Sequence, residues 1–232
     1  LLELKCGVRV LIEGNTFENH GGLDGGHAFR LTVRNENHNA TYAEVSDLTI
    51  RYNLFRNIPN WINAIGADDG NGGTSGPSMH SKRWNIHDNL IYNLGANCVS
   101  GSTCGSQLSI QSGANGSGCT DPAPTCKLED LIVSHNTFHN LGFSRFVLYV
   151  DTTGQIDLTY TNNLANSGGG YGLFGVGSQS STGLLNAAWA GSTWTFTNNG
   201  VSNIGGLGQG SGTWPAGSGN IYPASASSFL FT

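Results

Sequence analysis

The feature that most constrains this chain is a short pattern that occurs six times before about residue 205. Each copy has alternating apolar residues and then an anchor asparagine. An apolar residue follows two places later in five copies, and then a second asparagine, usually with Gly or Pro after it. The copies read VLIEGNTFENHGG, LTIRYNLFRNIP, WNIHDNLIYNLG, LIVSHNTFHNLG, LTYTNNLANSG and WTFTNNGVSNIG. Their anchors are Asn15, Asn53, Asn89, Asn136, Asn163 and Asn199. Several copies of one pattern along a chain indicate a repeat architecture.

The alternation before each anchor predicts a short strand with one face inward, as at Leu48, Ile50 and Tyr52. Asparagine bonds to nearby backbone and tolerates left-handed dihedrals, so we expect each anchor to form a bend. A second apolar run in most copies gives every coil at least two strands and a variable loop. A sandwich rarely repeats its sequence, and a propeller blade usually needs four strands. The pattern therefore predicts an all-β solenoid whose stacked coils align the anchors in a ladder.

This strand–Asn–apolar–x–Asn–Gly pattern resembles the right-handed parallel β-helix of the pectate-lyase-like superfamily over about residues 4–205. The segments ELKCGVRVLIEGNTFENH and INAIGADD are similar to secreted bacterial β-helix repeat proteins without an assigned substrate. The resemblance implies about six coils in residues 1–205, with an insertion at 96–127. Residues 206–232 abandon the repeat, and we expect them to cap the last coil. The chain opens in the middle of a repeat, so we also expect that residues preceded it.

Charge and composition limit the partners of this chain. A formal net charge of -5 and ten Lys and Arg residues in no long basic run argue against nucleic acid. No apolar stretch reaches the roughly 18 residues that a membrane-spanning helix needs. Enzymes of the resembled superfamily bind extended polysaccharide in a groove along the outside of the coils, which implies a polysaccharide partner here. The repeated motif is structural, however, and no active-site signature of pectate lyases or polygalacturonases occurs in the sequence.

Four of the five cysteines fall within the insertion: Cys98, Cys104, Cys119 and Cys126. Three pairings are open, and Cys98–Cys104 with Cys119–Cys126 would close the shortest loops, each bond contributing about 2–3 kcal/mol. A zinc site is the alternative, but the closely spaced pairs usual in zinc sites are missing. Disulfides indicate an oxidising compartment, so we expect a secreted or extracellular protein. Cys6 is left over.

Polar residues stand at the ends of the second apolar runs, in positions that correspond on successive coils when those ends are aligned. They are Arg34, Asn35, Asp68, Asp69, Gln111 and Asp151. For β-elimination, a uronate carboxylate would be neutralised by Arg34 or by Ca²⁺ held by Asp68, Asp69 and Asp151. Ca²⁺ is the one cofactor that the sequence suggests. A base must then remove the α-proton. The candidates for this base are His80, Lys82 and Arg83, which follow a glycine-rich loop.

Hydrolysis would need two carboxylates, about 5–5.5 Å apart for retention or 6.5–9.5 Å apart for inversion. Asp68 or Asp69 with Asp151 forms the one attractive pair. The same residues have plain structural interpretations, because Asp-Asp-Gly opens ordinary loops and Asp151 lies in the turn sequence VDTTG.

Substrate contacts are expected from Gln111, Asn35 and the ring of Trp61, because flat rings suit the apolar faces of sugars. Trp61 and Trp214 are the tryptophans expected to be exposed, whereas Trp84 and Trp194 occupy an apolar repeat position and are expected to fill the core.

Two functions compete at this point. The first is a secreted carbohydrate-active protein that binds and cleaves an extended, uronate-containing polysaccharide. The second is a noncatalytic structural or adhesive solenoid that associates with itself through open coil ends, because unpaired parallel edges can template stacking.

Overall fold

The computed structural model of the chain describes residues 2–21, 26–35, 39–68, 78–99, 104–111, 127–140, 146–166, 172–202, 214–215 and 218–223. The polypeptide winds through six coils, and each coil contributes one strand to each of three sheets. We call these sheets A, B and C, in the order in which the chain enters them. Strands pair in parallel from coil to coil, so the fold is a parallel β-helix, as the repeat predicted.

The strands are short, as the turn-rich sequence requires. Sheet A contains β1 (Leu2–Leu4), β4 (His27–Thr32), β7 (Asn60–Ile65), β10 (Ser106–Gln111), β13 (Phe146–Val150) and β16 (Gly172–Gly175). Sheet B contains β2 (Gly7–Glu13), β5 (Val45–Arg51), β8 (Lys82–His87), β11 (Glu129–Ser134), β14 (Ile156–Thr161) and β18 (Trp194–Thr197). Sheet C contains β3 (Thr16–Glu18), β6 (Leu54–Ile58), β9 (Leu90–Leu94), β12 (Thr137–Asn140), β15 (Leu164–Asn166) and β19 (Gly200–Ser202).

The sixth coil departs from this plan between sheets A and B. A 3₁₀ turn at Val176–Ser178 leads into β17 (Gln179–Ser180), which pairs with β16 in the antiparallel sense. The helix α1 (Ser181–Ala188) follows, and its residues Leu184, Leu185 and Ala188 are buried.

The predicted asparagine ladder is present between sheets B and C. Asn89 donates its backbone N–H (3.1 Å) and its Nδ2 (2.9 Å) to Oδ1 of Asn136. The same Nδ2 also donates to the carbonyls of Ile50 and His87, at 2.9 Å each. Each amide therefore satisfies backbone groups of the preceding coil and links to the next anchor, which aligns the coils. The bonds continue to Asn220, a seventh member that the repeat did not predict.

The sequence predicted that each anchor asparagine forms the bend, but in the structure the residue before the anchor forms it. None of the described anchors has a positive φ; the residue directly before each anchor does, with φ between 54° and 75°. These residues are Gly14, Tyr52, Asp88, His135, Asn162, Asn198 and Gly219. The prediction that Tyr52 points inward is therefore wrong, and its side chain is exposed. The left-handed residue turns the chain from sheet B into sheet C, and the side chain of the anchor that follows makes the ladder bonds.

The interior is filled by matching apolar residues stacked along the axis. In sheet C the rings of Phe17 and Phe55 stack with centroids 5.0 Å apart, and in sheet B those of Tyr160 and Phe196 do the same. Trp84 is fully buried and donates Nε1–H to the Val45 carbonyl at 2.7 Å, so its predicted core role is confirmed. The inward columns form one continuous hydrophobic core.

Described residues of the C-terminal tail close the last coil. The Ile221 N–H donates to the Asn199 carbonyl, and the Val201 N–H donates to that of Ile221. Trp214 lies 6.4 Å from Phe196 between ring centroids and is 7% exposed. The expectation that Trp214 is exposed is therefore wrong, because its ring covers the end of the core.

Cys98 and Cys104 form a disulfide, as predicted, and Cys6 is an exposed free thiol. Cys119 and Cys126 lie outside the described residues. No helix in the described part of the chain has the length and apolarity needed to cross a membrane.

Candidate functional site

The connections from sheet A to sheet B carry most of the predicted site residues. We call this edge of the solenoid, in coils 2 to 5, the A–B corner; its described residues are 33–35, 39–44, 66–68, 78–81, 127–128 and 151–155. Parallel stacking places the corners of successive coils next to one another at about 4.8 Å per coil.

The corner brings Arg34, Asn35 and Asp68 together. Oδ2 of Asp68 accepts the Asn35 backbone N–H at 2.9 Å, and its Oδ1 lies 3.8 Å from Nη1 of Arg34. Asp68 also exchanges bonds with Ser78, since its N–H donates to Ser78 Oγ and its carbonyl accepts the Ser78 N–H, both at 2.8 Å. Asp68 is buried. Through these bonds Asp68 links the loop that contains Asn35 to the loop that contains Ser78 on the next coil.

Asp68 and Asp151 both lie at the corner, on coils that are two steps apart. The register pairs Gln111 with Ile65 and Ile110 with Val150, so Gln111 and Asp151 are equivalent positions on neighbouring coils. Asp68 lies three residues beyond Ile65 and two coils away from Asp151. Two coil steps amount to about 10 Å along the axis, near the upper limit of the carboxylate separation for inversion. Asp69, the other predicted partner, lies outside the described residues.

The predicted Ca²⁺ site includes Asp69 and therefore lies partly outside the described residues. Across the part of the chain that the structure describes, no three His, Cys, Asp or Glu side chains lie close enough together to hold a metal ion.

His80 forms a close pair with a carboxylate at the corner. Its Nδ1 lies 2.8 Å from Oε1 of Glu129, and both side chains remain about a quarter exposed, at 22% and 28%. A carboxylate at Nδ1 favours the tautomer with its proton there and leaves Nε2 as a proton acceptor. Nε2 makes no hydrogen bond to any described residue. The pair has the arrangement of an oriented general base.

Lys82 and Arg83 are also paired with carboxylates. Nζ of Lys82 lies 3.6 Å from Oε2 of Glu44. Arg83 donates Nε–H and Nη2–H to the two oxygens of Asp47, at 2.5 and 2.9 Å. This bidentate bond lowers the pKa of Asp47 and raises that of Arg83. Arg83 is thereby held as a cation and cannot act as a base.

Sequence reasoning missed the carboxylates Glu44, Asp47 and Glu129. The signal was present, because the anchors Asn53 and Asn89 are separated by 36 residues, as are Asp47 and Arg83. Extending the repeat alignment backwards from the anchors would have placed Asp47 beside Arg83 on adjacent coils.

Aromatic exposure also differs from expectation. Trp61 is fully buried, with its ring 5.8 Å from Phe55 and 5.0 Å from Phe138, so its predicted role as an exposed sugar platform is wrong. Tyr42 is instead 75% exposed at the A–B corner. Met79, also exposed, follows on the next coil, where its N–H donates to the Ala43 carbonyl at 3.0 Å. Met79 directly precedes His80 in the chain, and Tyr42 directly precedes Ala43 on the coil before.

Fold and site together define a parallel β-helix with a polar, partly apolar corner. No protein-family model matches this sequence, and neither the curated proteins nor the solved structures contain a match to it. The function is therefore argued from the residues of the corner.

Proposed function

We propose that this chain is an extracellular carbohydrate-active β-helix that binds an extended, uronate-containing polysaccharide at the A–B corner and cleaves it by β-elimination. The observation that carries the proposal is the His80–Glu129 pair, an oriented imidazole with an available Nε2 beside the exposed Tyr42 and Met79. The Cys98–Cys104 disulfide fits an oxidising compartment.

The chemistry assigns one role to each group. Nε2 of His80 takes the proton on the carbon next to the uronate carboxylate, and the electron pair left behind forms a carbon–carbon double bond. The neighbouring glycosidic C–O bond breaks, and its oxygen leaves with a proton from solvent. Lys82 and Arg34 supply positive charge near the uronate carboxylate, which stabilises the carbanion-like transition state. Tyr42 offers a flat surface to a sugar ring.

Elimination is preferred to hydrolysis because it needs one base and one cation, whereas hydrolysis needs a pair of carboxylates at defined separation. The staggered positions of Asp68 and Asp151 count against such a pair.

The test is cleavage of a panel of acidic polysaccharides, followed by the ultraviolet absorbance of the unsaturated product, with and without added Ca²⁺. His80→Ala should reduce the rate by about 10²–10⁴-fold. His87→Ala is the matched control, since His87 also pairs with a carboxylate, Asp88 at 2.7 Å, but lies outside the corner. Absence of product with every polysaccharide, or full activity in His80→Ala, would overturn the proposal.

A noncatalytic, self-associating solenoid is the second candidate. The observation in its favour is the parallel pairing of strands from coil to coil, because a coil edge left unpaired can accept a strand of a second copy. Sedimentation velocity over a wide concentration range should then show a dimer, and a monomer at every concentration would remove this candidate.

A further inference from the structure

A shallow depression lies on the outer face of sheet B, in the first two coils. It encloses about 350 Å³ and is lined by Arg9, Val10, Leu11, Asp47, Thr49 and Arg51. Leu11 is 58% exposed, so it forms an apolar surface within a charged rim.

Arg9 differs from the other arginines at this face. Arg51 donates Nε–H and Nη2–H to Oε2 of Glu13, at 2.9 and 2.7 Å, and Arg83 holds Asp47. Arg9 makes no hydrogen bond or ion pair with any residue that the structure describes. Arg9 stands beside Asp47 of the next coil and its charge helps to lower the pKa of that carboxyl, but both Asp47 oxygens accept hydrogen bonds from Arg83 and none from Arg9.

The backbone of Arg9 carries strain of the same kind as that of Arg83. Their φ values are 58° and 56°, in the left-handed region that costs most residues free energy. The same conformation recurs at Asp47, Asp130 and Asp157, the equivalent positions of the other coils, so it belongs to the repeat of sheet B. It places Arg9 in one column of charged side chains on the outer face of the sheet.

The depression suits a sugar that carries one negative charge. Arginine binds a carboxylate through two parallel N–H···O bonds, and an exposed leucine can contact the apolar face of a sugar ring. Because Glu13 balances Arg51 and Arg83 balances Asp47, one anionic group neutralises the site.

We propose that the Arg9 depression is a binding subsite for one uronate residue of an acidic polysaccharide. This inference rests on the proposed function, because Arg9, Asp47 and Arg83 occupy equivalent positions on coils 1 to 3, and Arg83 directly follows Lys82 of the corner region. Arg83, three residues after His80, lies two coil steps or about 10 Å from Arg9, so a chain bound at His80 can extend past Arg83 toward Arg9.

The test is isothermal titration with tetragalacturonate, with a tetramer of mannuronate, and with the methyl ester of tetragalacturonate, which lacks the charge. Arg9→Ala should weaken binding of at least one acidic tetramer tenfold or more and leave any binding of the ester unchanged. Arg56→Ala is the matched control, because Arg56 is an exposed arginine on sheet C that pairs with Glu18. Circular dichroism verifies that both variants fold.

The outcomes separate this subsite from the proposed activity. If His80→Ala loses cleavage but Arg9→Ala binds the acidic tetramers like the unaltered chain, the subsite is wrong and the activity stands. If no polysaccharide is cleaved but binding of an acidic tetramer depends on Arg9, the subsite stands and the activity is wrong. If neither acidic tetramer binds, or Arg56→Ala weakens binding as much as Arg9→Ala, the subsite is overturned.

Discussion

Asn53 and Asn89 are joined by two hydrogen bonds to a single oxygen. The backbone N–H of Asn53 lies 3.1 Å, and its Nδ2 3.0 Å, from Oδ1 of Asn89. Both residues are buried, and they stand on successive coils 36 residues apart. This link recurs along the solenoid, so the spatial order of all outer residues depends on it.

Replacing Asn89 with alanine should lower the free energy of unfolding by about 2–4 kcal/mol, because buried backbone groups such as the Asn53 N–H and the Ile50 carbonyl lose partners. Urea denaturation monitored by circular dichroism measures this. Asn39→Ala is the control, since Asn39 is exposed, and should change stability by less than about 0.5 kcal/mol. Equal effects of the two substitutions would show that the ladder does not stabilise the fold.

Acid should destabilise the protein through His27. Burial, reinforced by the charges of Arg30 and His20, lowers the pKa of His27 to about 4, from 6.5 in an unfolded chain. Between these values the unfolded state binds a proton that the folded state does not, so stability falls as pH decreases from about 6.5 to 4. The loss approaches about 3 kcal/mol.

The measurement is the free energy of unfolding of the unaltered chain and of His27→Gln at pH 7.5 and pH 4.5. The substitution should flatten the pH dependence, because glutamine does not titrate. If both proteins lose the same stability on acidification, His27 is not responsible.

Gly175 should not tolerate a side chain. A Cβ atom there would lie 1.7 Å from the Val150 carbonyl oxygen on the neighbouring coil, so the strands would have to separate. We expect Gly175→Ala to cost about 3 kcal/mol or more. Gly14→Ala is the contrast, because Gly14 faces open space and only its φ of 69° opposes alanine, at about 1–2 kcal/mol. Thermal unfolding ranks the two, and a reversed order would contradict the stated packing.

Reduction of the Cys98–Cys104 bond should lower stability by about 2 kcal/mol, the chain-entropy value for a loop of this length. Comparing urea midpoints of the unaltered chain and of Cys98→Ser/Cys104→Ser, each with and without reductant, isolates this bond. Reductant should have a larger effect on the unaltered chain than on the variant, and an equal effect on both would contradict the expectation.

The sequence predicted the anchors and the solenoid, because a repeated pattern reports the coil directly. It did not predict which residue bends the chain, since Tyr52 has no intrinsic preference for the left-handed region and adopts it only within the stacked coils. Asn220 escaped notice because it belongs to no recognisable copy of the repeat, yet it extends the ladder.

The candidate site was harder to predict than the fold. The strand ends predict that Asp68, Gln111 and Asp151 correspond on successive coils, whereas the register makes Gln111 equivalent to Asp151 and to Ile65, three residues before Asp68. The sequence predicts an exposed ring at Trp61, whereas contacts with Phe55 and Phe138 hold it in the core. His80 was identified, but its partner Glu129 lies 49 residues away in sequence and depends on the stacking of coils.

The most direct test of the account is a distance along the solenoid, because both proposed sites depend on coils stacked in register. Leu11 and Thr195 are exposed, occupy equivalent positions on sheet B and are five coil steps apart. Spin labels can be attached to Leu11→Cys and Thr195→Cys in a Cys6→Ser background. Pulsed electron–electron double resonance should then give one distance between the labels, near 24 Å. A broad distribution, or a distance more than about twice that value, would contradict the stacked arrangement and both sites built on it.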